Sequence, residues 1–409
     1  MSLGVDLGYI SGWVGNVNEH ALLIRIEGFF MDFSNIQMQS IVRDFRIDRM
    51  MRYSLFVPRL YNLCRTLGFE AGNIMPSRAF CADENQGFPI ILLTKHFGAF
   101  PFNHGRAGGI VATDRHGPHA HHGEDMVIIQ ASHVGYDAET DTFGHYCRLQ
   151  TPDDKMTATC GKIGGVIGWY QDEYQFAQDN IYLGREDDVR TITIDNQLLD
   201  ERRGEGLFLE LDSLIAMEDG RRKLHRTLST SRVYIASDAF CETLSDSVWE
   251  DGKRTRLGSH LRPEMFVYKR SGSDDGEGSR QLEDNLLDAM PWIVTSPTPM
   301  LAAAQVNTQA EFDHTFRSIV RAPEYKGKRL LFVSCLHIDI SPEAGQVFPL
   351  TKCVPWAAYI QNEDGSTSTL EQDEIFDLLM AQSTENPDQI DLEAAIQEMK
   401  DVPEIKVLV

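Results

Sequence analysis

The stretch "GEDMVIIQASHVGYD", residues 123–137, decides how the chain is read. Its apolar run from Met126 to Ala131 is short, rich in β-branched residues and free of alternation. Such a run fits a strand covered on both faces, as in a sheet flanked by helices. It ends in the polar pair Ser132-His133. Working outward, "GFEAGNIMPSRAFCAD" carries a short strand that stops at Cys81, and "GFPIILLTKHFG" (87–98) reads as another strand buried on both faces. "CGKIGGVIGWYQDEYQFAQDNIYL" (160–183) reads as a glycine-rich turn running into a helix. Later strands are expected in "RVYIASDAF" (232–240), "KRLLFVSCLHIDI" (328–340) and "LTKCVPWAAYIQ" (350–361). Apolar strands alternating with helical segments predict an α/β fold with a mainly parallel central sheet flanked by helices.

At 409 residues the chain is long enough for one large domain or two ordinary ones. Residues 35–68 place apolar side chains at spacings of three and four among arginines, an amphipathic helical pattern interrupted near Pro58. We therefore divide the chain into an N-terminal helical arm (1–70), a central domain (71–375) and an acidic C-terminal tail (376–409) with a peripheral helix. "SGSDDGEGSR" (271–280) has the composition of a mobile loop. Residues 185–330 offer no functional reading.

The formal net charge of −23 argues against a nucleic-acid backbone or an anionic membrane as partner, since both need a basic surface. No apolar run approaches the roughly 20 residues that span a bilayer, and the N-terminus lacks the basic-then-apolar order of a secretory signal. The expected location is cytoplasmic, or an organelle lumen after removal of a transit peptide. The 7 cysteines are scattered, odd in number and too few for a disulfide scaffold. In a reducing compartment most are expected to be core thiols, a few of them ligands or nucleophiles.

In parallel sheets, sites collect at the carboxyl ends of strands. Cys81 and His133 each close an expected strand, and Cys160 opens the glycine-rich turn before a helix. Two sulfurs and one imidazole suit Zn2+, with one position left for water. Widely spaced single residues form no short ligand motif, so each cysteine also reads as a small core hydrophobe and His133 as a hydrogen-bonded core histidine. Cys160 with His133 also fits a thiolate nucleophile and its base, a hydrolase or redox reading that leaves Cys81 and Asp83 without roles. His116, His119, His121 and His122 in "DRHGPHAHHGED" offer a second set of donors in a loop where histidines are usually solvated. His96 and His104 are candidate proton relays, because imidazole titrates near neutrality.

With "CAD" at 81–83, "SHVGYD" at 132–137 and "CGKIGG" at 160–165, the chain resembles the LCIB (limiting-CO2-inducible B protein) family, a divergent branch of β-class-like carbonic anhydrases. The resemblance implies a β-carbonic-anhydrase-like fold, Zn2+ held by Cys81, His133 and Cys160, and reversible hydration of CO2 to bicarbonate. It also implies a homodimer, with the helix before residue 70 available to embrace the partner. In β-class enzymes a Cys-x-Asp-x-Arg motif supplies a ligand and an Asp–Arg dyad. Here Cys81 and Asp83 match, but Asn85 stands where the arginine belongs. Arg106 in "NHGRAGG" is the expected substitute, ahead of Arg78 and Arg115. Asp83 would then orient the attacking hydroxide, with Arg106 keeping it ionised and turned from the metal. Phe80, Val134 and Tyr136 are expected to line a pocket for CO2. A non-catalytic zinc protein of the same fold, acting in inorganic-carbon handling, is the alternative.

Overall fold

The computed structural model describes residues 43–111, 125–147, 156–270, 279–343, 346 and 348–400. The loop histidines at 116, 119, 121 and 122, Arg115, most of the expected mobile loop and the arm before residue 43 lie outside this range. Among the described residues, no helix is long and apolar enough to cross a membrane.

The expected α/β architecture is present. The principal sheet holds β1 (Met51–Arg52), β2 (Ile74–Phe80), β3 (Phe102–Asn103), β4 (Asp125–Asp137) and β5 (Thr142–Phe143). A second, antiparallel sheet follows, with β6 (Ile181–Glu186), β7 (Val189–Asp195), β8 (Leu224–Thr227), β9 (Ser231–Ile235) and β10 (Thr255–Arg256). The chain then returns to the principal sheet with β11 (Leu330–Ile340), β12 (Lys352–Gln361) and β13 (Thr367–Leu370). The order across the principal sheet is β1-β12-β11-β4-β2-β3. Its centre, β11-β4-β2-β3, is parallel throughout, while β12 and β1 extend it antiparallel.

Helices cover both faces. On one side, α1 (Tyr53–Thr66) and α2 (Gly87–Phe97) pack with Val127, Ile129, Ala131, Leu331, Val333 and Cys335 in one apolar cluster. On the other, Phe312 and Phe316 of α4 (Pro299–Arg321) pack on Met126, Ile128, Leu330 and Phe332. Alternate residues of β4 and β11 thus feed two cores, and this is why neither strand shows polar alternation.

Two local expectations need correction. Residues 87–98 form a helix rather than a buried strand. Pro89 sits in its first turn, where the missing N–H costs no internal bond, and Gly98 ends it at φ 74°, a left-handed conformation natural to glycine. The stop at Pro58 is also absent: Pro58 lies inside the unbroken α1. Burial of Tyr53, Phe56, Val57, Leu60 and Leu63 along that helix outweighs the one hydrogen bond lost.

Phe332 has no exposed surface, and its ring stacks on Phe312 with centroids 5.2 Å apart. Phe332→Ala is expected to cost about 3–5 kcal/mol through lost burial and the void left behind. Urea unfolding with an unchanged slope measures it. A loss under about 1 kcal/mol, typical of surface positions, would contradict this packing.

Candidate metal centre

β2 ends at Phe80, paired with Ala131 of β4, while β4 continues for several residues. Cys81 is the first residue past the end of β2, and His133 stands two residues beyond that end on the neighbouring strand. The two expected ligands therefore meet where the parallel sheet opens. Cys160 arrives from another direction, directly before α3 (Gly161–Asn180), so that the glycine-rich "GKIGG" is the start of the helix itself.

The three side chains converge. One ligand atom from each of Cys81, His133 and Cys160 lies within 4.8 Å of the others, and all three residues are buried. The two sulfurs are 3.5 Å apart. His133 Nδ1 is 2.8 Å from Asp339 Oδ2, whereas its Nε2 is buried without a hydrogen bond of ordinary geometry. A buried ring nitrogen lacking a partner, facing two thiols, matches the donor set of a metal ion that prefers sulfur and imidazole. Among the described residues, no second group of this kind occurs.

The electrostatics agree. The contact with the Cys160 thiol, together with His133 and the Gly108 N–H, lowers the Cys81 thiol despite burial. Cys160 is pushed up by the same contact and by burial. Burial works against a charged His133, but the Cys160 sulfur and the Asp339 carboxylate outweigh it and raise its pKa. A cation at the centre would replace these protons as the source of positive charge.

Asp83 caps the short turn Glu84–Gln86 and accepts from the Asn85 N–H at 3.3 Å. Its Oδ2 lies 4.0 Å from His133 Nε2, and burial raises its carboxyl to about 6. The loop 105–111 closes the site on another side. Gly108 N–H donates to Cys81 Sγ at 3.1 Å, and Arg106 is two residues earlier on the same short hairpin. The loop is anchored from behind. Asn307 of α4 donates to Gly108 O at 3.0 Å and to Ser132 Oγ at 2.8 Å, Gln130 donates to Gly109 O, and Glu311 accepts from Val111 N–H.

The remaining candidates are distributed more widely. Val134 shares an apolar cluster with Cys81 and Cys160. Phe80 packs in the cluster beneath α1, its ring 4.9 Å from that of His337. Half-buried Tyr136 donates to Asp141 and rests on Phe143. Burial lowers His96 to about 4 and His104 to about 3, so neither would accept a proton near neutrality as the relay reading requires. The sequence reading missed Asp339, Gln86 and Asn307. Asp339 had a visible signal: with His337 it interrupts the apolar run of β11 with ionisable groups.

Fold and site together define a mixed α/β protein with a buried Cys–His–Cys group able to hold a metal ion. Solved structures similar to it include the limiting CO2-inducible protein LCIB and its homologue PtLCIB4. PtLCIB4 aligns at 12% identity and a TM-score of 0.46, covering 81% of this chain and 99% of that one. LCIB aligns at 11% identity and a TM-score of 0.42, covering 80% and 96%. No protein-family profile and no curated protein matches the chain.

The loop's backbone path depends on Gly109, which has φ 77° and where a Cβ would stand 2.5 Å from Ala131 O. Gly109→Ala is expected to destabilise the fold by several kcal/mol or prevent soluble expression. Gly161→Ala, which would meet nothing within 4 Å, is expected to leave the melting temperature unchanged or slightly raised. Equal melting temperatures for the two variants would refute this loop geometry.

Proposed function

We propose that the protein is a zinc-dependent carbonic anhydrase, hydrating CO2 reversibly to bicarbonate and a proton. The observation that carries the reading is the convergence of Cys81, His133 and Cys160 with an aspartate beside them. Two sulfurs and one nitrogen leave a tetrahedral ion with room for one solvent molecule. Zinc bound there would supply Lewis acidity, lowering the pKa of water toward neutrality and so providing the nucleophile that CO2 lacks in bulk solution.

The chain's own residues then orient and exclude. Cys81, His133 and Cys160 hold the ion in a buried setting. Asp83 accepts a hydrogen bond from the attacking water and turns a lone pair toward the carbon of CO2. Arg106, on the hairpin that bonds Cys81, keeps Asp83 ionised and directed away from the metal, because a nearby cation favours the carboxylate. Val134 presents apolar surface beside the two sulfurs, suited to a small nonpolar substrate. Phe80 and Tyr136 act at greater remove.

A second reading has its own observation. Asp83 lies so close to His133 Nε2 that its carboxylate could take the open position itself, leaving a metal-bound but inactive protein. Stopped-flow CO2 hydration on metal-loaded protein separates the two. The catalytic reading expects turnover that rises from pH 7 to 9, since two thiolates donate charge and make bound water less acidic than three imidazoles do. Bound zinc with no rate above buffer would establish the inactive form.

Single substitutions test the roles. Cys160→Ala is expected to abolish stoichiometric zinc by mass spectrometry, whereas Asp83→Ala should keep zinc and lose at least about 100-fold in kcat/KM, at the low end for acid–base or positioning groups. Full activity in Asp83→Ala would reduce that residue to a turn cap. Arg106→Ala with unchanged activity would remove it from the dyad. Inactivation by alkylation of Cys160 in protein that keeps its metal would favour the thiol-enzyme reading.

A further inference from the structure

The Asp339 carboxylate is completely buried and takes three separate donors. His133 Nδ1 and Gln86 Nε2 each lie 2.8 Å from Oδ2, and Thr351 Oγ1 lies 2.9 Å from Oδ1. A carboxylate in this setting is acceptor-only, so every group facing it must present hydrogen. That fixes the Gln86 amide: its NH2 faces Asp339, and its oxygen faces His337 Nδ1 at 2.7 Å. His337 therefore carries hydrogen on Nδ1. Burial lowers its pKa to about 3, and its ring lies 4.9 Å from those of Tyr53 and Phe80. The resulting chain runs His337 to Gln86 to Asp339, with His133 donating from the other side. Reversing the amide would set its oxygen against the carboxylate.

Gln86 also closes the turn that Asp83 opens, its backbone N–H donating to Asp83 O at 3.1 Å, and it is 1% exposed. One buried side chain thus joins the aspartate's turn to the carboxylate behind His133. Thr351 approaches from just before β12, so three segments distant in sequence converge on Asp339.

We propose that Asp339 and Gln86 are positioning residues for the metal centre: Asp339 holds His133 with hydrogen on Nδ1 so that Nε2 is the ligand atom, and Gln86 locks the Asp83 turn to that carboxylate. This rests on the metal-centre reading. Partners behind a metal-bound histidine set its tautomer and ring orientation, and their removal costs about 10–100-fold in metal affinity.

The test uses the full chain with Zn2+ and Co2+ as probes. Proton–nitrogen correlation spectra of histidine-labelled, Zn2+-loaded wild type are expected to show His133 with hydrogen on Nδ1 and metal on Nε2. Asp339→Asn is expected to weaken Zn2+ binding in competition titrations by about 10–100-fold and to shift the visible Co2+ bands. Thr351→Val, which removes a donor from the other carboxylate oxygen, should change both far less. Gln86→Leu is expected to alter the Co2+ bands with a smaller loss of affinity, because the direct His133–Asp339 bond remains. Metal on Nδ1 in the wild type would overturn the proposal even if no variant folds. So would Asp339→Asn with wild-type affinity and bands. A wild type that binds neither ion would instead overturn the metal-centre reading, and this proposal with it.

Discussion

The parallel register between β4 and β11 is the constraint on which the centre depends. It aligns Ala131 with Cys335, His133 with His337 and Gly135 with Asp339. Aligned residues in a sheet share a face, and a slip of one position turns every side chain over. Such a slip would turn His133 to the opposite face of the sheet, away from the Asp339 carboxylate it bonds. The apolar side chains preceding the site make that slip costly. Val127, Ile129, Leu331 and Val333 fill one core while Ile128, Phe332 and Leu336 fill others, so a shifted strand would mismatch both faces at once.

Along the same face, chemistry changes abruptly. Apolar residues give way to His133, His337 and Asp339, all without exposed surface. Burying such groups is tolerable only when their hydrogen bonds are made, and here they are made to one another and to Gln86 and Thr351. The two nitrogens left over, His133 Nε2 and His337 Nε2, differ in surroundings. The first faces the sulfurs and Asp83, whereas the second belongs to a ring packed by Tyr53 and Phe80. Only the first has the donor neighbours that a cation needs.

The sequence made the centre more legible than the architecture around it. Cys81, His133 and Cys160 could be related because strand ends in parallel sheets share one edge, a rule that needs no knowledge of the connections between them. The helix at 87–97 was hidden because "PIILL" is as apolar and β-branched as a strand; Pro89 and Gly98 were the discriminating residues. Of the antiparallel sheet at 181–256 only the strand near 232 was expected, and the rest was hidden for another reason. Its first hairpin turns at Asp187 and Asp188, with φ 49° and 62°, positions where glycine or asparagine would have announced the turn. Gln86 and Asn307 were out of reach, since an amide's value as a linker depends on partners more than 170 residues away along the chain.

The Asn307 amide has a consequence for how an ion would arrive. One NH2 group bonds the Gly108 carbonyl beside Cys81 and the Ser132 hydroxyl beside His133. Thiol and imidazole are thereby tied to a common strut and cannot drift apart independently. The ordering of these segments is completed when the polypeptide folds, so capture would draw little further on chain entropy. The pocket is a preformed claw rather than a loop that wraps its guest.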